Sequence, residues 1–246
     1  PGALNIDGIS QLELQRSVEG TYPELTGEYT LTSGTVEIGQ TGDSAVVSPA
    51  TYYNLTLDGT KAYDISGIST ISNNLNMSDT AVLNDNDVLT INGTFTYSSY
   101  GYTALQDDIS AYGIVINHGT LDDGGNNITI AGAGGWTLNS GSFNPSGQTI
   151  FAPPVPLAPS IGGRRPTTFY DLVVNNPGYN VTLNVSPAAA TKVNAYLELD
   201  AGNIVTDSNN ILLMQDTATV VNGSAASYVS GPMIKEGNTD FVFPIG

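Results

Sequence analysis

The sequence predicts an all-β fold, a right-handed parallel β-helix in which short strands stack as the coils of a solenoid. Helical periodicity is nearly absent, because 28 glycines and 13 prolines, together with frequent asparagine, serine and threonine, interrupt the chain too often for amphipathic helices to propagate. Short runs alternate apolar with polar residues, the period-two signature of a strand with one buried face. The chain also repeats itself. Residues 116–130 (INHGTLDDGGNNITI) align without a gap on 199–213 (LDAGNIVTDSNNILL), with apolar residues, a glycine and an Asn-Asn turn at matching places. Internal repetition is the strongest pointer to a stacked architecture.

Taken in chain order, Gln11-Leu12-Glu13-Leu14-Gln15 is the first alternating run, and Leu31-Thr32-Ser33-Gly34-Thr35-Val36 carries the first half of the repeated phrase. A second phrase, Thr51-Tyr52-Tyr53-Asn54-Leu55-Thr56-Leu57, returns as Thr168-Phe169-Tyr170-Asp171-Leu172-Val173-Val174. Val88-Leu89-Thr90-Ile91, Val181-Thr182-Leu183-Asn184-Val185 and Tyr196-Leu197-Glu198-Leu199 are further strands, and Leu138-Asn139-Ser140-Gly141-Ser142-Phe143 repeats the first phrase again. Inward positions are expected at Leu31, Leu55, Leu75, Ile91, Ile116, Leu138, Leu172 and Leu199. Most of their spacings, roughly 16–34 residues between the first seven, suit one coil of a solenoid. Asn86, Asn126, Asn127, Asn209 and Asn210 fall at turns, where asparagine tolerates left-handed backbone and bonds neighbouring coils. The copies of the two phrases are offset unequally, by roughly ten residues, which assigns a loop insertion to 151–165. Pro153, Pro154, Pro156 and Pro159 forbid a regular ladder there. Residues 1–226 are therefore read as the solenoid and 227–246 as a cap or the start of a following β module. The alternative architecture is a pair of tandem antiparallel β-sandwiches, which would also produce frequent short strands.

Composition narrows the function. The chain has no cysteine, which removes disulfides and Cys-based zinc sites. No apolar run approaches the ~18 residues of a membrane-spanning helix, so a soluble chain without a membrane span is expected. Twenty-three carboxylates face six basic side chains for a net charge of -17. Such a chain repels phosphate backbones, and nucleic acid is not an expected partner. An acidic surface suits an extracellular setting, where salt screens it. A chain that begins at Pro1 and stops at Gly246 directly after Phe241-Val242-Phe243-Pro244-Ile245 is expected to be a segment of a longer secreted protein.

The stretch Tyr228-Val229-Ser230-Gly231-Pro232, followed by Gly237-Asn238 and Phe241-Val242-Phe243-Pro244-Ile245-Gly246, together with the repeated phrases, resembles the large repetitive cell-surface proteins of Bacteroidota exported by the type IX secretion system. That resemblance implies a β-helical, extracellular, adhesin-like segment at the bacterial cell surface, involved in attachment or gliding motility. It implies the type IX outer-membrane machinery as a partner during export and polysaccharide as a surface ligand. It also implies O-glycosylation at aspartate followed by serine or threonine and a small residue, which marks Ser44, Thr80 and Thr217 in Asp43-Ser44-Ala45, Asp79-Thr80-Ala81 and Asp216-Thr217-Ala218.

No catalytic residues are assigned. Gln106-Asp107-Asp108, Asn117-His118-Gly119 and Asn238-Thr239-Asp240 echo fragments of pectin-degrading β-helix enzymes, but in the wrong order and without the R-I-K element. His118, the single histidine, stands where the other copy has Ala201 and is expected to be a solvent-facing turn residue. No cofactor is assigned either. The carboxylates Asp85, Asp87, Asp122 and Asp123 are calcium candidates by residue type, though none fits the D-x-D-x-D-G loop, and ordinary turn residues are the competing reading. Tyr97, Tyr100, Tyr102 and Tyr112 bunch in a Ser/Gly-rich stretch and are candidate sugar-stacking aromatics, the alternative being packing beneath a longer loop. A carbohydrate-binding module and, behind it, a polysaccharide-degrading enzyme are the rival functions.

Overall fold

Alternation of apolar and polar residues at period two gives each short strand one inward face, and an inward face this narrow is buried only when another coil lies on it. The computed structural model describes residues 11–16, 32–40, 45–47, 49–60, 62–84 and 87–246, with the backbone alone for 11–16, 40, 45 and 84. Every helix or strand among them is a strand. These strands pair in parallel to form a right-handed β-solenoid of about 9 turns. The tandem antiparallel sandwich is thereby excluded. No helix among the described residues is long and apolar enough to cross a membrane.

Each central coil contributes three strand stretches. In one coil these are 89–91, 94–97 and 102–104, the first two lying within the single strand Leu89–Tyr97. The first two stretches build one 16-stranded sheet, and the third builds short three-stranded sheets alongside it. Register turns the coils into columns. Val36, Leu55, Leu75, Phe95, Ile114 and Trp136 are paired one on the next, continuing through Ile161 to Leu183. Two residues further on, Ile38, Leu57, Met77, Tyr97, Ile116 and Leu138 form a second column. The first stretch supplies a third, running Ile91, Ala111, Ile130, Phe151, Val174 and Leu199. All of these side chains belong to one continuous hydrophobic core. Leu55, Leu75, Ile91, Ile116, Leu138, Leu172 and Leu199 are inward as the sequence predicts, none more than 5% exposed, while Leu31 lies outside the described residues.

The repeats carry a different meaning from the one their alignment implies. Ile116 lies in the second stretch of its coil and Leu199 in the first stretch of another, and Leu55 and Leu172 differ in the same way. The shared phrase therefore encodes a strand, corner and strand, used at different corners. Gly119 and Gly202 show the reason, since both have positive φ (58 and 82). A Cβ at Gly119 would overlap the carbonyl oxygens of Ser99 and Gly101, and one at Gly202 those of Asn176 and Tyr179.

Because the phrases fall on different stretches, their unequal offsets do not measure an insertion, and 151–165 does not protrude as one loop. Phe151 ends the strand Gln148–Phe151, and Ser160–Gly163 is a strand paired on both sides within the main sheet. Phe151 and Ile161 are fully buried. Residues 152–159 are irregular, a lengthened bend between the first and second stretches anchored where Asn176 Nδ2 donates to the Leu157 carbonyl (2.9 Å), and 164–165 bend away after the strand. The segment 227–246 prolongs the stack in register: Val229–Ser230 pairs with 204–205 and Met233–Lys235 with Leu212–Met214.

Leu138 is 5% exposed and packs between neighbouring coils, so Leu138→Ala is expected to cost about 2–5 kcal/mol. A denaturant midpoint unchanged from that of the parent chain would contradict this core assignment.

Candidate ligand-binding surface

The corners of the solenoid are wired by polar side chains that bond to the coil before or after. Asn117 Nδ2 donates to Ser98 Oγ (2.9 Å) and Asn139 Nδ2 to Asn117 Oδ1 (2.8 Å), a side-chain ladder three coils deep. On another corner, Asp108 accepts from the backbone N–H and Nδ2 of Asn127 at 2.7 and 3.1 Å. These bonds satisfy turn groups that would otherwise be stranded where the ladder bends.

Two of the calcium candidates, Asp122 and Asp123, belong to this wiring. Asp123 is fully buried and accepts from the backbone of Gly125, Ser146 and Gly147 and from Ser146 Oγ, at 2.7–3.0 Å. Asp122 accepts from Gly124 N–H (2.7 Å), the Tyr102 hydroxyl (2.6 Å) and Asn144 Nδ2. Burial pushes the Asp122 carboxyl up, but those three hydrogen bonds outweigh it and hold it below its ordinary value. These oxygens, engaged by N–H and O–H donors, brace the turns. Asp87 is exposed, and Asp85 lies outside the described residues. No group of three or more His, Asp or Glu side chains with metal-ligating geometry occurs among the described residues.

The four tyrosines separate. Tyr97 is a core residue, fully buried, with its hydroxyl donating towards the carbonyls of Gly101 (3.1 Å) and Thr120 (3.2 Å). It cannot touch a glycan, and the alternation Phe95-Thr96-Tyr97 is the signal that places it inside. Tyr100 and Tyr102 stand at 67% and 55% exposure on the corner after that strand. The Tyr102 ring reaches towards the next coil, where its hydroxyl is tied to Asp122, and this hydrogen bond raises the phenol above its ordinary value. Tyr100 stacks on His118 of the next coil with ring centroids 4.5 Å apart and planes 18° from parallel. His118 Nδ1 lies 3.2 Å from Ser140 Oγ one coil further, and Arg165 donates to the carbonyls of Ser140 (3.3 Å) and Gly141 (3.4 Å). Tyr112 sits apart at the bend of its own strand, its ring filling space that a side chain at Gly132 would occupy.

The three enzyme-like fragments do not form one site. Asp107 and Asp108 precede the strand Ile109–Ile116, His118 follows it, and 238–240 come after Met233–Lys235 in the last coil. Of the glycan positions, Thr80 is half-buried and Thr217 exposed, each in a two-residue turn closed by a bond from the following alanine, Ala81 N–H to Ser78 O (3.2 Å) and Ala218 N–H to Gln215 O (2.9 Å). Ala81 and Ala218 are buried, which explains the small third residue at both turns. Ser44 lies outside the described residues.

Two features escape sequence reasoning. Glu198 and Asp200, alternate residues on one strand, share Asn222, whose Nδ2 donates to Glu198 Oε1 (3.2 Å) and Asp200 Oδ1 (2.8 Å). Asp171 comes beside them because it is in register with Tyr196. Burial first, then the charges of Asp200 and Asp171, push the Glu198 carboxyl up. The strand alternation shows Glu198 and Asp200 on one face, but only coil register brings Asp171 near. The second feature is a cleft of ≈ 690 Å³ in the last coils, lined by Val220, Tyr228, Phe243, Pro244 and Ile245 among others.

A raised folded-state value means that folding favours protonated Glu198, so its contribution to stability is complete below the ordinary 4.5 and is lost as pH rises through the raised value. Glu198→Gln keeps the acceptor for Asn222 and removes the charge. It is expected to raise the melting temperature at pH 7 by a small amount, equivalent to less than about 1 kcal/mol at a half-buried group that water still screens. The gain should disappear below pH 4.5, and a gain that persists in acid would refute the charge explanation.

No family model matches the chain, and neither the curated proteins nor the solved structures include one recognisably similar to it.

Proposed function

We propose that this chain is a noncatalytic structural and adhesive segment of a large extracellular bacterial surface protein, of the kind that Bacteroidota export through the type IX secretion machinery. The observation that carries the reading is the unbroken core, whose apolar columns run from Val36 to the last coils without an intervening domain boundary. Such a stack is a rod. Each central coil is hydrogen-bonded to its neighbours along its strand stretches, so a pull on one end is shared by many parallel bonds. Its acidic, polar outer surface limits lateral association with other acidic rods. The three fragments that echo enzyme motifs stay apart, two at opposite ends of the strand Ile109–Ile116 and the third in the last coil, which supports a noncatalytic reading.

The test is retention. Beads coated with the chain should stay on the surfaces colonised by the source bacterium under flow, and uncoated beads should wash away. Equal wash-off of both would remove the adhesive reading, and release of reducing ends or unsaturated products from polysaccharide would remove the noncatalytic one.

Glycan attachment at Ser44, Thr80 and Thr217 belongs to the same proposal. Thr217 stands in an exposed turn, where a bulky substituent is accommodated without disturbing the ladder, and Thr80 occupies a matching turn. Peptide mapping of protein taken from its native host is expected to show added hexose-type masses at these positions. Unmodified masses for all three peptides would withdraw this part.

A further inference from the structure

We propose that the corner formed by Tyr100, Tyr102 and His118 is a binding site for a neutral polysaccharide, with one pyranose ring laid on Tyr102 and another on the Tyr100 ring backed by His118. The inference rests on the adhesive reading and gives it a ligand and a location.

The two tyrosines are the most exposed in the described chain, at 67% and 55%, and they stand two residues apart with only Gly101 between. Aromatic rings held in water lose the benefit of burial, so a clustered exposed pair marks a surface that something covers. Both rings are braced before any ligand arrives. Tyr102 is fixed by its 2.6 Å hydrogen bond to Asp122, a carboxylate itself held by Gly124 and Asn144. Tyr100 is fixed by its stack on His118, whose Nδ1 lies against Ser140 Oγ. Little rotamer freedom is then lost on binding, which is what preorganisation requires.

The chemistry of the braced rings selects the ligand. With its hydroxyl engaged by Asp122, Tyr102 offers mainly its ring, and a ring face carries negative potential that attracts polarised C–H groups. The face of a pyranose presents such C–H groups while its hydroxyls point outward around the rim. Polar partners for those hydroxyls lie beside the rings: Thr120 is in register with Tyr102, Ser142 with Thr120, and Asn144 with Asp122. Ser140, Ser142 and Asn144 are exposed. Tyr100 and Tyr102 share one coil while these groups come from the coils stacked beside it, about 4.8 Å apart, so a glycan chain lying across the two rings has hydroxyl partners along one side. Charge decides against acidic sugars. The chain carries -17, Asp79 and Asp122 adjoin the corner, and the guanidinium of Arg165 is already donating to the Ser140 and Gly141 carbonyls.

Affinity electrophoresis of the chain through gels containing β-glucan, galactomannan or dextran, compared with alginate and polygalacturonate, tests the proposal. Retardation by at least one neutral polymer is expected, weakened about tenfold by Tyr100→Ala or Tyr102→Ala and unchanged by Tyr196→Ala, an equally exposed ring elsewhere on the rod. Tyr102→Phe keeps the ring and frees it from Asp122, so an intermediate loss is expected and guards against misfolding of the alanine variant. Absence of retardation by every neutral polymer, full binding by Tyr100→Ala together with Tyr102→Phe, or stronger binding of alginate through these tyrosines would overturn it. Bead retention separates the two readings: wild-type beads that hold under flow while the neutral polymers are ignored overturn the corner alone. Beads that wash off while the gels show tyrosine-dependent retardation support the corner and overturn the adhesive reading alone.

Discussion

Everything in this molecule depends on the parallel ladder between coils. A single coil exposes both edges of every strand and one apolar face, and it has no stable existence alone. Stacking removes all three problems together. The backbone of Leu89–Tyr97 is bonded on one side to 70–71 and 75–77 and on the other to Ile109–Ile116, while its inward residues meet their counterparts in both neighbours. The cost is strict register: a slip of one residue in any coil would turn its apolar set to solvent.

The corners carry the burden of keeping that register. A bend interrupts the ladder and strands N–H and C=O groups, and the protein answers with residues of two kinds. Gly119 and Gly202 let the backbone pass where a side chain would strike the carbonyls of the preceding coil. Asp108, Asp123 and Asn126 reach one coil away and bond the groups left over. The asparagine and aspartate content that makes the chain look loop-rich is therefore part of its regular structure. The high negative charge follows partly from the same demand, since a carboxylate such as Asp123 can accept several backbone N–H groups at one corner.

Function, in such a scaffold, is confined to what the outer surface displays. Inward positions are committed to the columns, as Tyr97 is. The corner after it shows the contrast within a few residues: Tyr97 completes the core, and Tyr100 and Tyr102 face outward on braces supplied by the next coil. The carboxylates Asp171, Glu198 and Asp200 are gathered in the same way, by strands that come side by side only when the coils stack.

The sequence by itself determined the strands, their inward residues and the solenoid class, because period-two alternation and polar turn chemistry are local and survive without knowledge of neighbours. Leu55, Ile116 and Leu199 are inward for that reason. Tertiary structure alone decided which stretch of a coil each phrase occupies. The matched residues Ile116 and Leu199 lie on different stretches, and the proline-rich segment dissolves into a bend followed by the strand Ser160–Gly163. It also decided that His118 meets Tyr100 and that Asp122 braces Tyr102. The physical reason is that alternation fixes only whether a side chain points in or out. Which residues lie one coil apart depends on how many residues each corner consumes, and that number is set by hydrogen bonds to the adjacent coil.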